Sequence, residues 1–144
     1  MEDTLLETNL ENNTQALADL LSEHKGADVL VLDLKKIDGA WTDFFVIATA
    51  SSNAHLDGLE RHVKEFCHER EIEILRRSRK PAGMTAGAQA PEDEWRIIDL
   101  GSTVIHLMSR KAREFYDLER LYSIATTIPS TYYSSSYSKS SSSS

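Results

Sequence analysis

The sequence predicts one α/β domain, in an α+β arrangement with a mixed sheet of about five strands flanked by helices. Three observations predict it. Short β-branched apolar runs of strand length recur at 29–34, 44–48, 95–100 and 103–108. Around them lie longer segments whose apolar residues repeat at the helical period. A chain of 144 residues holds one compact domain with tails and is too short for two comfortable ones.

Residues 1–4 are expected to fray. Leu5, Leu6, Leu10, Ala16, Leu17, Leu20 and Leu21 recur close to helical spacing, which predicts a helix over 5–23 that Gly26 stops. Val29 to Leu34 (VLVLDL) is a buried strand, the stretch from Lys35 to Gly39 a turn, and Phe44 to Ala48 (FFVIA) a second strand. Ser51, Ser52 and Asn53 supply capping chemistry for a helix over 53–70, with Leu56, Leu59, Val63 and Phe66 inward. Ile72, Ile74 and Arg76 start a third strand. Residues 79–93 hold Pro81, Pro91 and small residues without pattern, an exposed loop. Trp95–Leu100 and Thr103–Met108 are strands joined by Gly101-Ser102, a two-residue hairpin signal. Lys111 to Leu121 is a closing helix. The domain is thus placed at 5–124. The serine-rich remainder, 125–144, cannot bury enough apolar surface to offset its ordering entropy and is expected to be disordered.

Composition excludes several classes. No run approaches the roughly 20 apolar residues that span a bilayer, so no membrane is expected. The acidic start lacks the basic-then-apolar order of a secretory signal, which places the chain in the cytoplasm. The lone Cys67 forms no internal disulfide and no cysteine-pair zinc site. A net charge of −7 disfavours phosphate backbones and suits a basic protein partner.

A search for an active site finds none. There is no phosphate-binding glycine loop, dinucleotide fingerprint or nucleophile elbow. His55 and His62 lie two helical turns apart, roughly 10 Å along the axis, and His106 is on a distant strand. Satisfied or solvated histidines therefore outweigh a three-histidine metal site. Glu71 and Glu73 would share one face of a strand, as two-metal nucleotidyl transfer requires, with Ser51-Ser52 as a phosphate turn. No third acidic strand position completes that set. Cys67 has only His68 beside it. The basic run at 76–80 (RRSRK) offers a minor contact to RNA, although a solvated loop entry is the commoner explanation.

Two segments go beyond pattern. One runs Trp41-Thr42-Asp43-Phe44-Phe45-Val46-Ile47-Ala48 and on through Ser51 to His55. The other holds W-x-x-x-D-x-G at Trp95, Asp99 and Gly101, V-x-H at Val104 and His106, and R-E-F-Y-D-L-E-R-L from Arg113 to Leu121. Together they resemble the ribosomal silencing factor (RsfS, or Iojap) family over about residues 10 to 122. Ala50 stands where that family usually has Gly, Ala54 where Arg is frequent, and Tyr122 where Trp is common; the 79–93 loop is longer than usual.

The resemblance implies a nucleotidyltransferase-like fold without catalytic carboxylates, hence no enzyme, cofactor or metal. It implies binding to the large ribosomal subunit through its fourteenth protein, a steric block to the small subunit, and lowered translation when nutrients are scarce. It also brings homodimers, and in organelles a role in large-subunit assembly. The rival readings are an assembly factor and a degenerate nucleotidyltransferase using Ser51, Glu71 and Glu73.

The partner-binding residues expected are Trp95, Ile98, Asp99 and Leu100 on the hairpin, and His106 of V-x-H. Arg113, Tyr116 and Glu119 join them from the outer side of the last helix. One hairpin face packs inward and the other meets solvent or partner. Trp95 is the anchor, being large with few rotors to order. Glu92, Asp93 and Glu94 steer toward a basic surface.

Overall fold

A computed structural model describes residues 2–78 and 95–127. In chain order the elements are α1 (Glu2–Glu23), β1 (Ala27–Asp33), β2 (Phe44–Ala50), α2 (Asn53–Glu69) and β3 (Arg76–Ser78). Then come β4 (Trp95–Asp99), β5 (Thr103–Ser109), α3 (Arg110–Phe115) and α4 (Leu118–Thr127). The loop and tail read at 79–93 and beyond 127, with the acidic run 92–94, lie outside the described residues.

The five strands form one mixed sheet in the order β1-β2-β5-β4-β3, in which only β2 and β5 run parallel. Helices cover both faces. Leu17 and Leu21 of α1 with Leu56, Leu59, Val63 and Phe66 of α2 pack on Val46, Ala48, Ile98, Ile105 and Leu107. On the other face Ala112, Tyr116, Leu121 and Ala125 pack on Phe45, Ile47, Trp95, Ile97 and Val104. Strands buried on both faces need apolar residues at successive positions, which is why β2 and β5 read as continuous runs. This corrects the expected hairpin: all of β4 is buried, so neither face meets solvent.

Two helix ends share one device. At the end of α1 the Gly26 amide donates to the Leu21 carbonyl (2.7 Å) and the Lys25 amide to Ser22 (3.1 Å). After α2 the Ile72 amide donates to Cys67 (2.8 Å) and the Glu71 amide to His68 (3.2 Å). In each, the residue between the cap and the outgoing chain is left-handed: Lys25 at φ 71° and Glu71 at φ 57°. This is the paired-bond C-terminal motif that usually employs glycine at that place. Gly26 therefore serves by its size. A Cβ there would sit 2.8 Å from the Leu21 carbonyl oxygen.

The same turn delays the third strand. Residues 72–75 leave α2 as irregular chain, with Ile72 and Ile74 packed against the α1–α2 side, and pairing begins only at Arg76. The closing helix also differs from expectation. It is two helices, broken where Tyr116 leaves helical geometry (φ −101°, ψ 85°) and Asp117 caps α4 by accepting the Arg120 amide at 3.1 Å. Ala125 is fully buried in α4, which runs to Thr127, past the domain end expected at 124.

Candidate functional site

The β4–β5 turn is built by its own motif. Asp99 Oδ1 accepts the Gly101 amide at 2.8 Å, and Gly101 takes φ 97°, a conformation that favours glycine. The Leu100 amide donates to the Thr103 carbonyl at 2.8 Å and closes the hairpin. Neighbouring chain clamps this turn: Thr42 Oγ1 donates to the Gly101 carbonyl (2.9 Å), and the Asp43 and Phe44 amides both donate to the Ser102 carbonyl (3.0 Å). From β3, Arg76 Nη1 lies 3.6 Å from Asp99 Oδ2. The W-x-x-x-D-x-G spacing thus encodes a strand and its rigid turn.

Farther along the same hairpin, where Trp95 pairs with Met108 at the end away from the turn, sits an aromatic cluster. Trp95 Nε1 donates to His106 Nδ1 at 3.0 Å, so the neutral imidazole carries its proton on Nε2. Phe45 meets the His106 ring edge-on at 4.3 Å, and Tyr116 lies 4.3 Å from the Trp95 ring. His106 is fully buried. Burial first, then the positive charge of Arg113, pushes its pKa down to about 3. V-x-H therefore supplies a neutral acceptor for a buried indole.

Of the expected partner-binding residues, Trp95, Ile98, Asp99, His106 and Tyr116 are all enclosed in the chain, none above 3% exposed. As direct contacts they are corrected. Helical layers cover both faces of β4, so neither is free, and Tyr116 turns inward where α3 ends. Arg113 is committed too: it donates to the Asp28 carbonyl (2.7 Å) and Thr49 Oγ1 (2.9 Å), tying α3 across β2 to the bulge in β1. The side chain of Glu119 lies outside those described. Leu100 remains partly open at the turn.

Sequence reasoning missed Leu75. It is half exposed, and its Cδ1 lies 3.3 Å from where a Cβ on Gly101 would be. Its amide donates to the Asp99 carbonyl at 2.8 Å. Leu75 and Leu100 thus flank the motif turn at the open edge of the sheet. The signal was present: in Ile72-Glu73-Ile74-Leu75 the inward isoleucines leave Leu75 out of phase.

The catalytic alternatives find no shared site. Ser51 stands at the start of α2 and Glu71 and Glu73 follow its end, about 25 Å apart along a helix of this length. His55 is held locally, accepting the Ser51 amide at Nδ1 (2.9 Å) while Nε2 faces the His24 carbonyl (2.9 Å). His62 stacks on His24 at 3.5 Å, on the opposite side of the sheet from the Trp95 cluster that holds His106. Among the described residues no three of His, Cys, Asp and Glu are placed to share a metal ion. Burial pushes the Cys67 thiol up to about 11, the wrong direction for a nucleophile. No described helix is long and apolar enough to cross a membrane.

Known proteins share this arrangement. The family described as "Ribosomal silencing factor during starvation" matches residues 7–144. A ribosomal silencing factor of Treponema pallidum is 39% identical over 107 residues, 74% of this chain and 86% of that protein. The chloroplastic protein Iojap of Zea mays is 31% identical over 78% of this chain, which spans 44% of that relative. Mitochondrial assembly of ribosomal large subunit protein 1 of Mus musculus is 33% identical over 75% of this chain, which again spans 44% of the relative. A crystal structure from Bacillus halodurans superposes with a TM-score of 0.57 at 27% identity, covering 79% of this chain and 93% of that one. One from Chromobacterium violaceum reaches 0.62 at 24% identity, covering 83% and 88%, which speaks to the fold alone. With the motif turn, the aromatic cluster farther along the same hairpin and a family match over nearly its whole length, this chain belongs to the ribosomal silencing factors.

Proposed function

We propose that the chain binds the large ribosomal subunit through its fourteenth protein and stands where the small subunit must dock, lowering translation when nutrients are scarce. It acts by occupancy rather than chemistry, in the cytoplasm. The observation that carries this reading is how the motif residues are used. Asp99 and Gly101 build the β4–β5 turn beside Leu75 and Leu100, while Trp95, His106 and Tyr116 are buried and fix the far end of the same hairpin. The family description, which names silencing during starvation, supports the same reading.

The partner-facing residues we assign are Leu75 and Leu100, with the enclosed cluster as their support. An apolar pair on an acidic chain suits a basic protein: apolar contact gives affinity and opposite charge speeds encounter. Homodimers and a minor contact of the 76–80 run with ribosomal RNA remain secondary parts of the proposal. The name of the Mus musculus relative favours a second reading, large-subunit assembly. The two share a binding surface and differ in whether precursor or mature subunits are bound.

Binding of the purified chain to the isolated fourteenth protein tests the assignment. Leu75→Asp is expected to weaken it by about tenfold or more. Its thermal midpoint should stay near that of the wild type, because the side chain is half exposed. Unaltered binding by this variant removes the assigned edge. Absence of binding by the wild type removes the partner.

A further inference from the structure

A cleft of about 480 Å³ opens at the C-terminal ends of the parallel strands β2 and β5, on the opposite end of the sheet from the β4–β5 turn. The volume lies within the range of small-molecule sites. Lys25, Arg110 and Lys111 line it, with Ser51, Ser52 and Asn53 at the start of α2. The chain carries 23 acidic residues against 16 basic ones, yet among the described residues no carboxylate lines this cleft. Three cations gathered in a concavity of an acidic protein make a local field opposite to that of the whole.

Each cation is held there by the fold. Lys25 occupies the left-handed position that ends α1. Arg110 and Lys111 open α3 directly after β5. Arg110 approaches Asp28 at 3.3 Å with both side chains 61% exposed, a pairing that solvent weakens. Lys25 and Lys111 have no ion-pair partner among the described residues. Hydroxyl and amide groups fill the space between the charges. Among the described residues the apolar part of the lining is limited to Ala27 and Ala50, which offer little surface to an aromatic ring.

We propose that this cleft is a binding site for a compact free polyanion, a di- or triphosphate group. The inference does not rest on the ribosomal reading. Metal-dependent nucleotidyl transfer needs acidic side chains to hold its cations, and among the described residues none lines the cleft.

Titration calorimetry of the full chain with inorganic tripolyphosphate, at low ionic strength and with a chelator present, tests it. One site is expected with a dissociation constant below about 1 mM. Replacing both lysines, Lys25→Gln with Lys111→Gln, is expected to weaken binding about tenfold or more. Both side chains are exposed, so the thermal midpoint should hold. Lys64→Gln, an exposed change outside the cleft, should bind as the wild type does. Three results would each overturn the proposal. The first is no heat of binding by the wild type. The second is equal weakening by Lys64→Gln and the double variant, which would mean diffuse attraction. The third is binding of a short uridine oligomer without binding of tripolyphosphate, which would make the cleft a nucleic-acid contact.

Discussion

The side chain that explains most about this protein is His106, because burial holds its ring neutral. Its neutral ring accepts the Trp95 indole proton in a fully buried cluster. The folded-state pKa, about 3, lies below the unfolded value near 6.5. Between these two values the unfolded chain binds a proton that the native chain refuses. Stability is therefore complete above about pH 6.5 and falls as the pH drops toward 3, by up to about 1.4 kcal/mol per unit. Urea unfolding at successive pH values reads this slope, and His106→Gln should flatten much of it. An equal slope in the variant would assign the effect to other groups. Trp95→Phe keeps most of the ring but leaves His106 Nδ1 without its donor. It should cost about 1–3 kcal/mol at neutral pH. Trp95 was legible in the sequence as important, and its apolar bulk suggested an anchor for a partner. Nothing in one sequence tells a buried tryptophan from an interfacial one, since both need a large surface and a satisfied N–H. The decision lay in α3 and α4, which close over that face of the sheet.

Elements were easier to read than their ends. Helical periods located α1 and α2, and the apolar runs located β1, β2, β4 and β5, because burial imposes those patterns directly. Ends depend on single bonds. Gly26 was legible as a stop, but Lys25 holds the left-handed turn and Gly26 makes the close approach. The turn at Glu71 carried no glycine signal, so the chain beyond it looked like strand four residues too early. Two substitutions separate the two roles. Glu71→Gly relieves a left-handed backbone and should stabilise by about 0.5–1 kcal/mol. Gly26→Ala places a methyl against the Leu21 carbonyl and should destabilise by about 1–3 kcal/mol. Thermal or urea unfolding measures both, and matching signs would refute this account of the two ends. The break at Tyr116 was masked because Phe115, Leu118 and Leu121 keep a helical period across it. Asp117 was the available sign, as a capping residue ahead of α4.

At the scale of the whole molecule, the motif residues and the surface they support divide the work. The family pattern was legible in the sequence because its W-x-x-x-D-x-G and V-x-H residues are fixed by the geometry of one hairpin. The edge at exposed Leu75 and partly buried Leu100 was only half legible, because a surface residue leaves no period in its own chain. The proposed block works by occupancy, so its effect should scale with the amount of chain bound and need no turnover. The most direct measurement is the joining of purified small and large ribosomal subunits, followed by light scattering or gradient sedimentation, with the chain in excess. The account predicts separate subunits with the chain riding on the large one, and recovery of joined ribosomes when Leu75→Asp replaces the wild type. Joining that proceeds equally well with and without the wild-type chain would contradict it.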